Sequence, residues 1–218
     1  MADAHRPPIE NPANPLIPEA PQPIGLPKLL IGEGNEEFYF FRALVRRLGL
    51  ADVKVEQYGG KNNLANYLET LLVRPDYAGL ASLGITRDAD DYAERAFQSV
   101  CTALRNNGLP VPAAPDVAAA GPPQVRVLVL PGGGRVGMLE DLCMDAAAED
   151  PHMKCVDDFL VCLRALGRSP RPLAKARAHA WLASLEKPDL ELGEAAEKGL
   201  VPFDHPAFNP LKAFIQGI

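Results

Sequence analysis

Between residues 28 and 130, four short apolar segments alternate with three longer segments whose apolar residues recur with helical periodicity. Runs such as LLI at 29–31 and VRVLVL at 125–130 show little apolar–polar alternation, which is typical of parallel strands covered on both faces. The order β-α-β-α-β-α-β predicts an α/β protein with a four-stranded parallel, Rossmann-like sheet in a three-layer α/β/α sandwich. The predicted strands are 28–31, 53–58, 79–85 and 125–130, and the predicted helices between them are 36–48, 63–73 and 91–107.

The composition divides the chain into three parts. Residues 1–26 are rich in proline and poor in large apolar residues, which predicts a flexible or extended arm. Residues 27–148 form the predicted α/β domain. The pattern then becomes helical, with helices expected at 138–148, 152–166 and 173–186 and a short segment continuing to 218. Residues 149–218 are therefore predicted to be a helical C-terminal extension packed on the domain.

The charge and hydropathy of the chain limit its function classes. The net charge is −6, whereas a dedicated nucleic-acid binder usually carries a basic excess that neutralises phosphates. Contact with nucleic acid would therefore need a local basic patch or a metal ion. No run of 18 apolar residues and no signal-peptide pattern occurs in the sequence, so we expect a cytoplasmic protein without a membrane partner.

Carboxylates follow three of the four predicted strands. Glu33 lies in the turn after the first strand, and Asp88 and Asp90 follow the third in TRDADDY. Glu140 follows the fourth strand in PGGGRVGMLED. The carboxyl ends of parallel strands meet at one edge of the sheet, where the reactive loops of such folds lie. We therefore expect these four side chains to converge there.

Such an acidic cluster predicts a cation. Like charges in close proximity raise one another's pKa unless a cation neutralises them. Oxygen-only ligands suit a hard cation, so we expect Mg²⁺ or Mn²⁺ bound by Glu33, Asp88, Asp90 and Glu140. Asp88 and Asp90, two residues apart at a strand end, are expected to point to the same side and share one ion.

The motifs EGNEEF at 33–38, DAD at 88–90 and GMLED at 137–141 resemble the Toprim domain. That family includes topoisomerases, bacterial primases and nucleases of the overcoming-lysogenization-defect type. The resemblance covers roughly residues 29–147 and is greatest to small stand-alone bacterial Toprim-like proteins of unassigned function. It implies an α/β/α fold and Mg²⁺-dependent phosphodiester chemistry, carried by Glu33 and by the Asp-x-Asp motif. The zinc module, the second domain with a nucleophilic tyrosine and the ATPase motif of larger members are absent from the sequence.

The predicted function is accordingly metal-dependent phosphodiester hydrolysis, as in a Toprim-type nuclease or phosphodiesterase. Glu33 is a candidate ligand or general base. Lys61, in GGKN after the second strand, is the second catalytic candidate, because its ammonium group can hold a phosphate and offset developing charge. Arg135 in the glycine-rich loop is a candidate phosphate contact, and Asp91 is assigned to capping the third helix. The basic segment 168–181 is a candidate contact for nucleic acid.

Two alternatives stay open. The chain fits a non-catalytic Toprim-like binding or regulatory module, acting with a protein partner or as a homodimer. It also partly fits a dinucleotide-binding fold, in which Glu56 would bind a ribose. Glu33 between Gly32 and Gly34, with Glu37 where a third glycine is expected, weighs against this second alternative. The sequence leaves open whether the substrate is DNA, RNA or a small phosphodiester, and whether one ion or two bind.

Overall fold

The computed structural model describes residues 22–218, so most of the predicted N-terminal arm, 1–21, lies outside the described residues. Four strands form one sheet in the order β2-β1-β3-β4, and every neighbouring pair is parallel. The strands are β1 Lys28–Gly32, β2 Val53–Gln57, β3 Ser82–Asp88 and β4 Gln124–Leu130. The predicted α/β class and parallel four-stranded sheet are confirmed.

Eight α-helices cover the two faces of the sheet in the described part of the chain. One face is covered by α2 and α3, and the other by α1 together with the helices that follow β4. No helix within residues 22–218 is both long enough and apolar enough to cross a membrane. The helices are α1 Asn35–Arg47, α2 Leu64–Leu72, α3 Ala93–Asn106, α4 Leu139–Ala146, α5 Met153–Ala165, α6 Leu173–Ala183, α7 Leu192–Glu197 and α8 Asn209–Gln216.

The weak alternation of the strands follows from this two-sided burial. In β1, Leu29 and Ile31 contribute to the core beneath α2 and α3, whereas Leu30 contributes to the core beneath α1. All three side chains are fully buried. Both faces of the strand therefore require apolar residues, as in other doubly covered parallel sheets.

The C-terminal helices share their core with the first helix. A Cβ atom added to Gly193 of α7 would lie 2.8 Å from the carbonyl oxygen of Glu36, so the lack of a side chain allows α7 to approach α1 closely. Phe40 of α1 packs edge-to-face against Phe203, with ring centroids 5.1 Å apart, and also against Phe208. The segment after α6 is thus part of the layer on which α1 rests.

The region around β3 differs from the sequence prediction. Gly79 ends a short 3-10 turn, and β3 starts three residues later and runs through Asp88. Asp88 pairs in register with Leu130 of β4, so its carboxylate projects from the sheet itself rather than from a loop. The predicted capping role of Asp91 is wrong: α3 begins at Ala93 with Tyr92 before it, and no side chain caps the helix.

A candidate carboxylate-lined active site

A cleft of about 330 Å³ opens at the carboxyl edge of the sheet, beside the ends of β1 and β3. Among its lining residues are six acidic side chains, and Lys175 of α6 is the basic one. We call this the carboxylate cleft. Its acidic residues are Glu33, Glu36, Glu37, Asp88, Glu140 and Glu191. The site lies where ligands bind in open parallel α/β sheets.

Glu33 occupies the turn between β1 and α1. Its Oε2 atom is buried and has no hydrogen-bond partner among the described residues. The nearest cation is Arg87, whose Nε lies 3.6 Å from that oxygen. Arg87 is only 8% exposed, and its Nε likewise makes no hydrogen bond within residues 22–218. A buried carboxylate oxygen that accepts no hydrogen bond costs free energy, so a ligand able to satisfy it would be bound favourably.

Asp88 lies at the end of β3 and faces the start of α4. Its Oδ1 accepts a hydrogen bond of 3.1 Å from the backbone N–H of Leu139, the first residue of α4. Burial is the main reason that the pKa of Asp88 rises to about 8. The carboxylates of Glu37, Glu140 and Glu33 raise it further, and the bond from Leu139 opposes the rise. Without a bound cation, Asp88 is therefore mostly protonated at neutral pH.

Glu140 is neutralised by a residue from the C-terminal part of the chain. It is 5% exposed, and its Oε1 lies 3.2 Å from the Nζ of Lys175. Burial alone would lower the pKa of Lys175, but the surrounding carboxylates, led by Glu140, raise it. Burial, followed by Glu140, raises the pKa of Glu36 in the same cleft. Lys175 thus offsets the negative charge of Glu140 and of the neighbouring Glu36.

Replacing Lys175 by methionine should lower the stability of the protein. The substitution keeps most of the aliphatic stem but leaves Glu140 as a buried carboxylate without its cation, which should cost about 2 kcal/mol. Thermal unfolding at pH 7 measures the effect. The control is Lys154→Met, which removes an exposed i,i+4 pair with Asp158 and should barely move the melting temperature. Equal shifts in the two variants would contradict the role given to Lys175.

Asp90 does not line the carboxylate cleft. Its φ angle is +49°, and its backbone pairs with Gly137 through hydrogen bonds of 2.9 and 2.8 Å. The expected strand alternation stops at Asp88, so the Asp-x-Asp side chains are not equivalent. The Asp90 carboxylate lies 3.6 Å from the Nζ of Lys61, and both residues line a neighbouring cleft. Asp88 lines both clefts and joins them.

Two other residues singled out from the sequence have partners elsewhere. Arg135, the candidate phosphate contact, forms an exposed ion pair of 2.7 Å with Asp145 and lines neither cleft. Glu56, proposed as a ribose ligand, receives two hydrogen bonds from Arg74, at 2.9 and 2.8 Å, and one from Tyr67. Because its carboxylate is already bound, Glu56 supports the sheet edge instead of offering a ribose site.

Sequence reasoning missed four of the cleft residues. Glu36 and Glu37 follow Glu33 in EGNEEF, and the one-turn spacing from Glu33 to Glu37 could have indicated a shared face near the helix start. Lys175 and Glu191 come from the C-terminal part of the chain, and the sequence carries no local signal of their position. Glu37 also accepts a hydrogen bond from the backbone of Gly34, which fixes the turn that carries Glu33.

The donor set of the cleft fits a hard divalent cation. Within residues 22–218, no group of three or more His, Cys, Asp or Glu side chains is placed to hold a metal ion. Mg²⁺, however, commonly takes one or two protein carboxylates and keeps several waters. The Oε2 of Glu33 accepts no hydrogen bond from the described residues, and burial together with the neighbouring carboxylates favours the protonated form of Asp88 when no cation is bound. These two residues therefore match the cation in donor type and charge.

Fold and site together define an α/β protein with an acidic cleft at the carboxyl edge of a four-stranded parallel sheet. The family described as "Protein of unknown function (DUF3226)" matches residues 27–218, and the chain belongs to that family. A comparison with curated proteins finds no match.

A comparison with solved structures finds two matches at low identity. The C-terminal region of the Burkholderia pseudomallei OLD protein is 14% identical, with 88% of this chain and 96% of that chain covered and a TM-score of 0.43. The corresponding region of the Xanthomonas campestris pv. campestris OLD protein is 13% identical, with the same coverage and a TM-score of 0.40. The Toprim assignment stays a prediction from the sequence motifs.

Proposed function

We propose that this protein hydrolyses phosphodiester bonds of nucleic acid with the help of Mg²⁺ or Mn²⁺, and that Glu33 and Asp88 are the ligands of the ion. The observation that carries the proposal is the carboxylate cleft itself. Several acidic side chains enclose a small volume in which Lys175 is the basic lining residue. Such a concentration of negative charge is costly without a cation, and Glu33, whose buried Oε2 accepts no hydrogen bond from the described residues, is one of the lining residues.

The roles of the individual residues follow from their partners. A bound Mg²⁺ or Mn²⁺ would supply positive charge and Lewis acidity to a phosphodiester in the cleft. Asp88 would help to hold the ion, and the hydrogen bond from the backbone N–H of Leu139 orients its carboxyl group. Glu33 is the candidate general base, because its buried Oε2 accepts no hydrogen bond from the described residues and lies 3.6 Å from the Nε of Arg87. Lys175 would offset the negative charge of Glu140 through their ion pair.

The remaining candidate residues predicted from the sequence are assigned supporting roles. Asp90 would orient Lys61 beside the shared Asp88, where its ammonium group could contact the phosphate of an adjacent nucleotide. Glu140 is a further candidate ligand, provided that Lys175 releases its carboxylate. Arg135 would reach substrate only outside both clefts, as a contact to a longer nucleic acid.

Cleavage assays on labelled DNA and RNA oligonucleotides test the proposal. Wild-type protein should cut with Mg²⁺ or Mn²⁺ and stop when the ion is chelated. Asp88→Asn should lose at least about 100-fold in rate, because a ligand carboxylate is removed while the side-chain shape is kept. Asp158→Asn is the control, because Asp158 is exposed and lines neither the carboxylate cleft nor the neighbouring cleft, and this variant should cut normally. Cutting in a chelator, or full activity of Asp88→Asn, would disprove the mechanism.

One outcome favours the alternative function. If the ion binds, and binding is lost in Asp88→Asn, but neither DNA nor RNA is cut, the cleft would be a ligand-binding site of a non-catalytic module. The net charge of −6 is the feature that makes this alternative worth testing.

A further inference from the structure

The second cleft, of about 280 Å³, adjoins the carboxylate cleft through their shared residue, Asp88. We call it the Tyr92 cleft. It lies between the end of β3 and the first two turns of α3. Besides Asp88, the lining residues that bear on its chemistry are Lys61, Arg87, Asp90, Asp91, Tyr92 and Arg95.

Tyr92 presents an aromatic ring at the mouth of this cleft. The residue is 57% exposed, although it directly precedes a helix whose inner face is well buried. The guanidinium carbon of Arg95 lies 4.2 Å from the ring centroid. This cation–π contact supports one face of the ring and restrains its orientation. With one face covered and more than half of the residue exposed, the ring offers a flat surface to a ligand.

The charges of the Tyr92 cleft are largely balanced within the protein. Lys61 is paired with Asp90, and Arg87 lies 3.6 Å from Glu33 and donates a hydrogen bond to the carbonyl oxygen of Lys61. Among the cations of the cleft, Arg95 makes no ion pair with any described residue, and Asp91 adds an exposed negative charge to the lining. Stacking on the ring, more than neutralisation of phosphates, is therefore the interaction that this surface can provide.

We propose that the Tyr92 cleft binds a nucleobase by stacking, and that the nucleic acid bound by this protein is single-stranded. The proposal rests on the proposed function for its placement: the stacked base would belong to a nucleotide next to the phosphodiester in the carboxylate cleft. Bases inside a duplex have no free face for such a contact, whereas unpaired bases stack readily on exposed aromatic rings. Every base has such a face, so the contact would tolerate any sequence.

Fluorescence anisotropy with a labelled twelve-nucleotide oligo(dT), the matching oligo(rU) and a duplex of equal length tests the proposal. Binding is measured once in EDTA and once with Ca²⁺. Single strands should bind more tightly than the duplex, with a shallow dependence on salt. Tyr92→Ala should weaken single-strand binding about tenfold or more, and Tyr92→Phe, which keeps the ring, should not.

Tyr39→Ala is the matched control. Tyr39 is also exposed and also carries an arginine over its ring, with Arg42 at 5.0 Å, but it lines neither the carboxylate cleft nor the Tyr92 cleft. Its replacement should leave single-strand binding unchanged. Equal binding by wild type and Tyr92→Ala in both conditions, tighter binding of the duplex, or no detectable binding of single strands would overturn the proposal.

The stacking site and the proposed metal-dependent hydrolase can be tested separately. Ion binding is measured by calorimetry on the same preparations without nucleic acid. A Tyr92-dependent preference for single strands in a protein that binds no divalent ion would retain the stacking site and refute the metal-dependent hydrolase. Ion binding and cleavage without any effect of Tyr92→Ala would do the reverse.

Discussion

Replacing Asp88 by asparagine is expected to stabilise the protein at pH 8 in the presence of a chelator. Burial, with the carboxylates of Glu37, Glu140 and Glu33, raises the pKa of Asp88 from 3.8 to about 8. In the unfolded chain Asp88 ionises near its ordinary pKa, so between about pH 4 and pH 8 the folded state holds a proton that the unfolded state has lost. Stability therefore falls as the pH rises through this range.

The size of the effect follows from the shift in pKa. Each pH unit between the two pKa values costs the wild-type protein up to about 1.4 kcal/mol, so the penalty at pH 8 amounts to about 2–5 kcal/mol. Asparagine carries no charge and can still accept the hydrogen bond from Leu139. Asp88→Asn should therefore melt at least about 4 °C above wild type at pH 8. The difference should shrink towards pH 4, where the aspartate is protonated in both states.

Thermal unfolding of the two proteins in EDTA, from pH 5 to pH 8, measures this difference. Asp91→Asn is the control, because Asp91 is exposed and makes no hydrogen bond within the described part of the chain. Its melting temperature should follow wild type at every pH. A destabilised Asp88→Asn at pH 8, or a difference that does not change with pH, would show that Asp88 is ionised and well solvated in the folded protein.

The second large effect concerns the divalent ion. A cation in the carboxylate cleft would favour the ionised form of Asp88, so its binding at pH 7 should release close to one proton from a carboxyl group with a pKa of about 8. Asp88→Asn should bind the ion at least about 10- to 100-fold more weakly and release no proton. The same substitution is thus expected to stabilise the ion-free protein and to weaken ion binding. Substitution of a residue with a purely structural role would not combine higher stability of the ion-free protein with weaker ion binding.

Glu33 and Asp88 could be placed from the sequence because of the topology. A parallel sheet brings the carboxyl ends of its strands to one edge, and both residues lie at or just after a strand end. The same reasoning did not predict the position of Asp90, whose side chain does not line the carboxylate cleft. Its positive φ and its pairing with Gly137 depend on the loop after β4, about 45 residues further along the chain, so strand alternation could not predict the direction of its side chain.

The C-terminal part was less predictable for a different reason. α7 and α8 have six and eight residues, and helices of that length form mainly because tertiary packing stabilises them. No local sequence pattern indicates that Gly193 allows α7 to lie against α1. Lys175 was recognised as part of a basic segment, but its partner Glu140 lies on another helix, and their contact depends on how α6 packs against α4.

Isothermal titration calorimetry with Mn²⁺ at pH 7, in two buffers of different ionisation enthalpy, tests the central claim most directly. Wild type and Asp91→Asn should bind the ion with a buffer-dependent heat that corresponds to release of about one proton. Glu33→Gln should bind more weakly, and Asp88→Asn should bind at least about 10-fold more weakly and without the proton release. Mn²⁺ binding of equal strength in wild type and Asp88→Asn, or no binding by wild type, would contradict the assignment of the carboxylate cleft as a metal site.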